Sequence, residues 1–329
     1  MRRDIRVGVI GVGYLGKFHA QKFARIRGAC LVGVADIDEK RGCEVAGEVG
    51  VDFYPRYEDL VSHVDAVSIA VPTSDHFAVA SDFLKTGADV FLEKPMCRTL
   101  KEADELVALA GAKGLLIQVG HLERFNPAIM ALQKEINRPM FIESHRLGFF
   151  KERGVDVDVV LDLMIHDLDI ILSLVKSEIV SIHALGVPVM TPQVDIANAR
   201  LVFENGCVAN VTASRISMKT MRKIRIFQPS AYLSVDYAKR DLTVIKKIQE
   251  SDDPQRYQIL PEYRQFPEID PLEEELTAFV NSVRERTEPL VNGVKGRRAL
   301  KVSLEVMEQI ALKLQEHNTI SQEEKIGPH

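Results

Sequence analysis

The chain has no excess of basic charge, no closely paired cysteines and no uninterrupted apolar run. Each absence removes a class of function. Among 329 residues, 42 lysines and arginines stand against 47 aspartates and glutamates, a net charge of −5. General nucleic-acid and membrane-surface binders carry a basic excess, so neither kind of partner is expected. Four cysteines (Cys30, Cys43, Cys97, Cys207) form no C-x-x-C pair, and neither a disulfide framework nor a zinc site is indicated. The longest apolar stretch, residues 155–175, contains five aspartates and a histidine, which a lipid-facing helix would not tolerate. No secretory signal is expected, since the run after Met1-Arg2-Arg3 is broken at Gly11 and Gly13. A reduced, cytoplasmic, enzyme-sized protein remains, with a length that suggests two domains.

Short apolar runs at residues 5–10, 30–35, 66–71, 90–93 and 115–119 alternate with helical patterns near 15–26, 39–49, 75–85 and 100–112. Strands apolar on nearly every residue, each followed by a helix, predict an α/β fold with a doubly wound parallel sheet of Rossmann type. The pattern changes after about Pro127. A helix over 157–174 precedes β-rich runs at 179–189, 196–203, 208–214, 223–227, 232–237 and 242–247, with Asn205-Gly206 as a hairpin signal. These predict a second, α+β domain with an open, mostly antiparallel sheet. Helices are expected at 272–286 and 297–315, followed by a frayed polar tail from 316. The expected division is 1–122 and 123–329, with the closing helices free to pack back on the first domain.

Gly11-Val12-Gly13-Tyr14-Leu15-Gly16 follows the first strand and opens a helix. Gly11 permits a tight turn, Gly13 lets a pyrophosphate approach the backbone, and Gly16 lets helix pack on strand. The helix N-terminus offers free N–H groups and a positive dipole end to phosphates. Asp36 lies twenty residues after Gly16, where an acid accepts hydrogen bonds from ribose hydroxyls. Ile37 and Asp38 follow it rather than an arginine. A carboxylate there repels a 2′-phosphate, so NAD is expected ahead of NADP, with Arg41 keeping NADP open.

Two further segments sit at strand ends: Val71-Pro72-Thr73-Ser74-Asp75-His76 and Phe91-Leu92-Glu93-Lys94-Pro95. With the glycine motif, V-P-T-x-x-H and E-K-P in this order resemble the glucose–fructose oxidoreductase/inositol dehydrogenase (Gfo/Idh/MocA) family over nearly the whole length. The resemblance implies pyridine-nucleotide oxidation of sugar or cyclitol hydroxyls. It implies that Lys94 contacts the substrate hydroxyl and the nicotinamide ribose, that Lys94-Pro95 is cis, that Thr73 and His76 line the nicotinamide side of the pocket, and that Pro72 and Glu93 also bind the cofactor.

On a regular helix Asp158, Asp162, His166 and Asp169 fall within an arc of roughly 80°, on an otherwise apolar cylinder from which only Asp167 points elsewhere. Buried carboxylates need partners, which a substrate pocket supplies; salt bridges to neighbouring elements around a core histidine are the plainer alternative. A metal site is weaker still, since no third ligand of suitable spacing stands out. The resemblance makes Asp162 and His166 a D-x-x-x-H element, with His166 the general acid/base, Asp162 its orienting partner and Lys94 the stabiliser of the alkoxide. The lead into this helix lacks the family's common glycines. Together with Gly120-His121-Leu122-Glu123-Arg124-Phe125-Asn126-Pro127, it resembles members that oxidise C3 of nucleotide-linked amino sugars such as UDP-N-acetylglucosamine. His121, Arg124 and Asn126 are then candidate substrate contacts. Arg146, Lys151 and Arg153 would meet a diphosphate, or form a solvated basic loop. Open alternatives are a free-sugar or cyclitol dehydrogenase and a non-catalytic dinucleotide sensor. Expected partners are a sugar or UDP-sugar substrate, a downstream aminotransferase, and a second copy of the chain, as homodimer or homotetramer through the C-terminal sheet.

Overall fold

A computed structural model describes residues 3–150, 157–249 and 257–326. The chain forms two compact units, residues 1–125 with 269–300, and residues 126–268 with 301–329. The division expected at 122/123 falls within a short 3-10 turn, Leu122–Phe125.

The first unit is built on six strands: β1 (Ile5–Ile10), β2 (Ala29–Ala35), β3 (Asp52–Tyr54), β4 (Ala66–Ile69), β5 (Asp89–Glu93) and β6 (Ile117–Gly120). Their order is β3-β2-β1-β4-β5-β6, every pair parallel. This is a Rossmann sheet, and its strand order reverses between β1 and β4, where such sheets bind ligands. Helices α1 (Tyr14–Phe23), α2 (Glu39–Val49), α3 (Thr73–Thr86) and α4 (Leu100–Lys113) connect the strands. Every residue of β4, β5 and β6 is buried, as two covered faces require. Local chemistry sets the helix ends. Asp38 caps α2, Thr99 and Glu102 close a capping box on α4, and Gly50, Gly87 and Gly114 end α2, α3 and α4 in the left-handed conformation.

The chain returns to this unit with α7 (Pro271–Glu285), capped by Asp270 with proline at the first turn. Leu276, Phe279, Val280 and Val283 of α7 join Val7, Val9, Phe23 and Phe91 in one apolar cluster. Helix α8 spans Gly293–Ile326. Its helical backbone runs past 315, so the tail expected to fray from 316 is helical to Ile326, the end of the described chain.

The second unit holds α5 (Pro127–Glu135), α6 (Ile165–Leu174) and eight strands: β7 (Phe141–Leu147), β8 (Ile179–Val187), β9 (Ile196–Phe203), β10 (Val208–Ser214), β11 (Met221–Gln228), β12 (Ala231–Asp236), β13 (Asp241–Gln249) and β14 (Tyr257–Gln265). They form one sheet in the order β14-β13-β12-β11-β7-β10-β9-β8. Only β7 and β10 pair in parallel. Burial alternates along β7, β9 and β10, so one face is covered and the other open. The open face carries a row of rings from Phe141, Phe227 and Tyr232, with centroids 5.7 and 5.2 Å apart, beside an Arg225–Glu143 ion pair at 2.8 Å. Among the described residues no helix is long and apolar enough to cross a membrane.

In the first unit one of the ties on the returning chain is a buried carboxylate. Asp89, 3% exposed at the start of β5, accepts from Leu116 N–H at 2.7 Å and from Arg286 at 2.5 Å. Arg286 ends α7 in the left-handed conformation and also donates to Gly114 O. Replacing Asp89 by Asn removes the charge from two hydrogen bonds in a buried setting. It is expected to destabilise the protein by about 1.5–3 kcal/mol. Thermal unfolding that leaves Tm unchanged would refute the role given to this carboxylate.

Candidate active site

The cradle forms where β1 meets α1. Gly11 has φ +79°, and a Cβ on it would lie 2.9 Å from the backbone of Ala70. A Cβ on Gly16 would sit 1.7 Å from Gly11 O, so α1 closes on the turn only without side chains. Gly13 differs. Its Cβ would meet nothing but Arg41 Nη1 at 3.8 Å, so the protein itself leaves the space above Gly13 clear. A pyrophosphate fits that clearance, and the first turn of α1 offers it N–H donors.

From Gly11 and Gly13 a cavity of about 620 Å³ extends past Asp36 and Ile37 to Pro55, Arg56, Tyr57 and Glu58, with Val71, Pro72 and Asp75 on its other wall. Asp36 is fixed by its own backbone surroundings: Oδ2 accepts from Val12 N–H at 2.7 Å and Oδ1 from Asp38 N–H at 2.8 Å. Each oxygen keeps a lone pair for a ribose hydroxyl. Arg41 pairs with Asp38 at 3.0 Å. Ile37 is 97% exposed and lines the cavity as a bare apolar surface. These residues fit a dinucleotide. Tyr14 and Leu15 lie exposed on the first turn of α1. The wall at 55–58 was not legible in the sequence, because nothing in a short turn after a three-residue strand marks it.

Pro72 precedes α3 and Thr73 opens it. His76, one turn in, is 1% exposed, and its ring nitrogens lie 3.0 Å from Val71 O and 3.0 Å from Pro95 O. Burial pushes its pKa down, against the pull of those carbonyls and of the Glu93 charge. The ring thus braces the turn after β4 against the turn after β5 instead of standing open to a cofactor. Lys94 follows β5, half-buried, and its bond to Pro95 is cis, as the resemblance implied. Glu93 is buried: burial pushes its carboxyl pKa up, but His19 and Lys94 more than offset this and hold it low, so the group is ionised. Beyond β6, His121 and Arg124 are 1% and 5% exposed.

In the second unit the helix expected over 157–174 is present and unbroken over residues 159–174, but it is not uniform. A π-helical turn, Val160–Met164, leads into α6. Its i→i+5 bonds advance each residue by less than a regular helix does, so the 80° arc calculated from about 100° per residue does not hold across Asp158 and Asp162. Asp158 caps the turn, accepting from Val160 N–H at 2.8 Å, and burial pushes its carboxyl pKa up. Asp162 lies within the π turn, half-buried, and His166 one turn on is 8% exposed. Such turns recur at functional sites.

Two expected substrate contacts are otherwise engaged. Asn126 caps α5 by accepting from Ala128 N–H at 3.0 Å, and donates to Tyr237 O at 3.4 Å. Arg146 lies on β7 rather than in a loop, 4% exposed, with Nε 2.5 Å from Asp167 Oδ2. Asp167 also accepts from Ser144 Oγ at 2.7 Å and Tyr237 Oη at 3.3 Å. The expected solvated or diphosphate-facing arginine is therefore a core ion pair, and Asp167, which the sequence left unassigned, is its partner. Lys151 and Arg153 lie outside the described residues. Among the described residues, no group of three or more His, Cys, Asp or Glu side chains is placed to hold a metal ion.

Comparison with known proteins places this geometry. Residues 5–121 match the model of the Gfo/Idh/MocA oxidoreductase family, NAD-binding Rossmann fold, and residues 135–229 match a C-terminal domain of the same family. The chain belongs to this family of oxidoreductases. It is 40% identical over 303 residues to UDP-N-acetylglucosamine 3-dehydrogenase of Acidithiobacillus ferrooxidans, covering 92% of this chain and 96% of that protein. A solved structure of that enzyme, GnnA, superposes with a TM-score of 0.87 at 38% identity, covering 94% of this chain and 98% of the other. The scyllo-inositol 2-dehydrogenase (NAD(+)) of Bacillus subtilis is 31% identical over 66% of this chain and 69% of its own.

Arg146→Met is expected to leave Asp167 buried without its cation, at a cost of about 3–5 kcal/mol in stability. A variant as stable as the parent, with only a raised KM for a nucleotide sugar, would return Arg146 to the substrate contacts.

Proposed function

We propose that this chain oxidises the C3 hydroxyl of UDP-N-acetylglucosamine or a close nucleotide-linked amino sugar, with NAD as the hydride acceptor. One observation carries the reading: the full-length match to UDP-N-acetylglucosamine 3-dehydrogenase, at 40% identity, against a shorter match at 31% to a cyclitol enzyme. The basic-loop argument does not add to it, because Arg146 is paired with Asp167. The preference for NAD over NADP is supported by Asp36 at the ribose end of the cavity, and by Arg41 being held on Asp38.

NAD seated on the cradle supplies the hydride acceptor. The remaining work falls on the chain's own residues. The alcohol must lose its O–H proton as its carbon loses hydride, and the imidazole of His166 is the side-chain type that takes a proton near neutral pH. Asp162, four residues earlier, orients that ring or holds a neighbouring hydroxyl. The Lys94 ammonium stabilises the negative charge gathering on the substrate oxygen. His121 and Arg124 contact the sugar. A 3-keto sugar nucleotide is a carbonyl acceptor, so an aminotransferase is the class of enzyme that would consume it. Four cysteines, none in a disulfide, support a cytoplasmic site of action.

The purified protein is expected to reduce NAD in preference to NADP when given UDP-N-acetylglucosamine. Lys94→Met and His166→Ala should each lower kcat by at least about a hundredfold while NAD still binds. Turnover of free inositol with none of the UDP-sugar would overturn the substrate in favour of a cyclitol.

The open face of the second sheet, with its row of Phe141, Phe227 and Tyr232, supports self-association of two or four copies through that face. Light scattering at micromolar protein should give a dimer or tetramer, and Phe227→Glu should shift it toward monomer. A monomeric parent protein would end this reading.

A further inference from the structure

His19 stands outside every role given so far, yet it is wholly buried at the centre of the first unit. It lies on the sheet-facing side of α1, 0% exposed. Its Nδ1 is 2.8 Å from Ser68 Oγ on β4. Its Nε2 is 3.2 Å from Glu93 Oε1 at the end of β5, and its ring meets Phe91 edge-on at 5.5 Å. The Nε2 approach is within hydrogen-bond distance but off the N–H axis, so it is a short polar contact and not an aligned bond. The other oxygen, Glu93 Oε2, accepts from Lys94 N–H at 3.2 Å. On its far side the carboxylate lies against Gly120, where a Cβ would come 3.0 Å from Oε1.

A serine, an imidazole and a carboxylate in line resemble a hydrolytic relay. Ser68 and His19 are both 0% exposed, so no acyl group can reach the hydroxyl, and that chemistry is ruled out. What the line does reach is the backbone of Lys94.

We propose that His19 is a positioning residue for Lys94: it holds the Glu93 carboxylate turned inward, and that carboxylate fixes the Lys94 amide. The helix that carries the cofactor cradle is thereby tied to the lysine through one buried carboxylate. Without His19, Glu93 loses the imidazole that faces Oε1 in a dry site, and must take up a proton or turn outward. Either way the Lys94 N–H loses its acceptor, and the ammonium at the end of that residue loses its aim. Misplacement of about 1 Å in a reacting group costs on the order of a hundredfold in rate.

The inference rests on Lys94 acting in the proposed oxidation, so its test has one arm that needs no substrate. His19→Leu fills the site without a donor, and His19→Gln restores an N–H toward Glu93. The leucine variant should lower kcat on UDP-N-acetylglucosamine at least about tenfold with KM for NAD little changed, and the glutamine variant should recover most of it. In hydrogen exchange read by mass spectrometry, the Lys94 amide should exchange about tenfold faster in the leucine variant and near the parent rate in the glutamine variant. If the leucine variant does not fold, His19→Asn, too short to reach Glu93, takes its place. Parent-like exchange at Lys94 in the leucine or asparagine variant would overturn the proposal. A parent protein inactive on the UDP-sugar would count against the substrate alone and leave the exchange arm decisive.

Discussion

An ionised carboxylate buried at the end of β5 sets the terms for the first unit. Glu93 is 9% exposed and held below the usual carboxylate range despite its burial, through His19 and Lys94. A buried charge without partners costs several kcal/mol, so the surrounding chain must bring them. It does so from three elements. Helix α1 supplies an imidazole, the turn after β5 supplies an amide, and β6 ends in a glycine so that the carboxylate has room. Helix α1 can deliver His19 only because Gly11 and Gly16 let it lie close to the sheet. The glycines of a phosphate cradle thus serve the protein's interior as well as its ligand.

The second unit meets a similar constraint with different chemistry. Asp167 on α6 is 0% exposed and takes Arg146 and Ser144 of β7 and Tyr237 of the turn after β12 as partners. Arg146 also lies over the Tyr237 ring, 5.4 Å from its centroid, a cation–π contact that strengthens when desolvated. This cluster fixes how α6 lies on its sheet, and so fixes the direction in which His166, on the neighbouring position, can point. The π turn ahead of it sets Asp162 off from His166 by a spacing no regular helix would give.

The parallel sheet was legible because strands covered on both faces are written as mostly apolar runs, interrupted in β4 only by Ser68 and bounded in β5 by Asp89 and Glu93. β7 escaped for the opposite reason. Its inward positions include Ser144 and Arg146, so the alternation that marks a half-buried strand is missing wherever Asp167 supplies the partner. β14 contains Pro261 and was passed over, although an edge strand tolerates proline; β3 is three residues long and carries no pattern at all. α5 had its signals, Asn126 as cap and Pro127 at the first turn, but Asn126 also reads as a substrate contact. The cradle and Asp36 were legible because backbone geometry there admits few residue types. Arg146 was misread because a lone arginine is most often exposed, and its partner sits 21 positions away on another element.

Buried charge does not by itself mark a site. Asp195 is 0% exposed and its carboxyl pKa is lowered in spite of burial, by the N–H groups of Val189, Met190 and Thr191 at 2.7–2.9 Å and by the Thr191 hydroxyl. Its hydrogen-bond acceptors serve its own loop, and the buried Arg215 just beyond β10 lies 3.8 Å from Oδ1, so the carboxylate ties that loop to the sheet, which is a structural use. The Asp167 cluster closes on a helix and a sheet, and fixes one against the other. The Glu93 line alone ends on the amide of a residue whose side chain is expected to act. Replacing a buried ion pair by apolar residues of equal volume is often neutral or stabilising, so a pair kept beside a reactive group is better explained by the geometry it enforces than by stability. On that criterion the direction in which a hydrogen-bonded chain leads separates Glu93 from Asp195, although both are buried carboxylates held below their ordinary range.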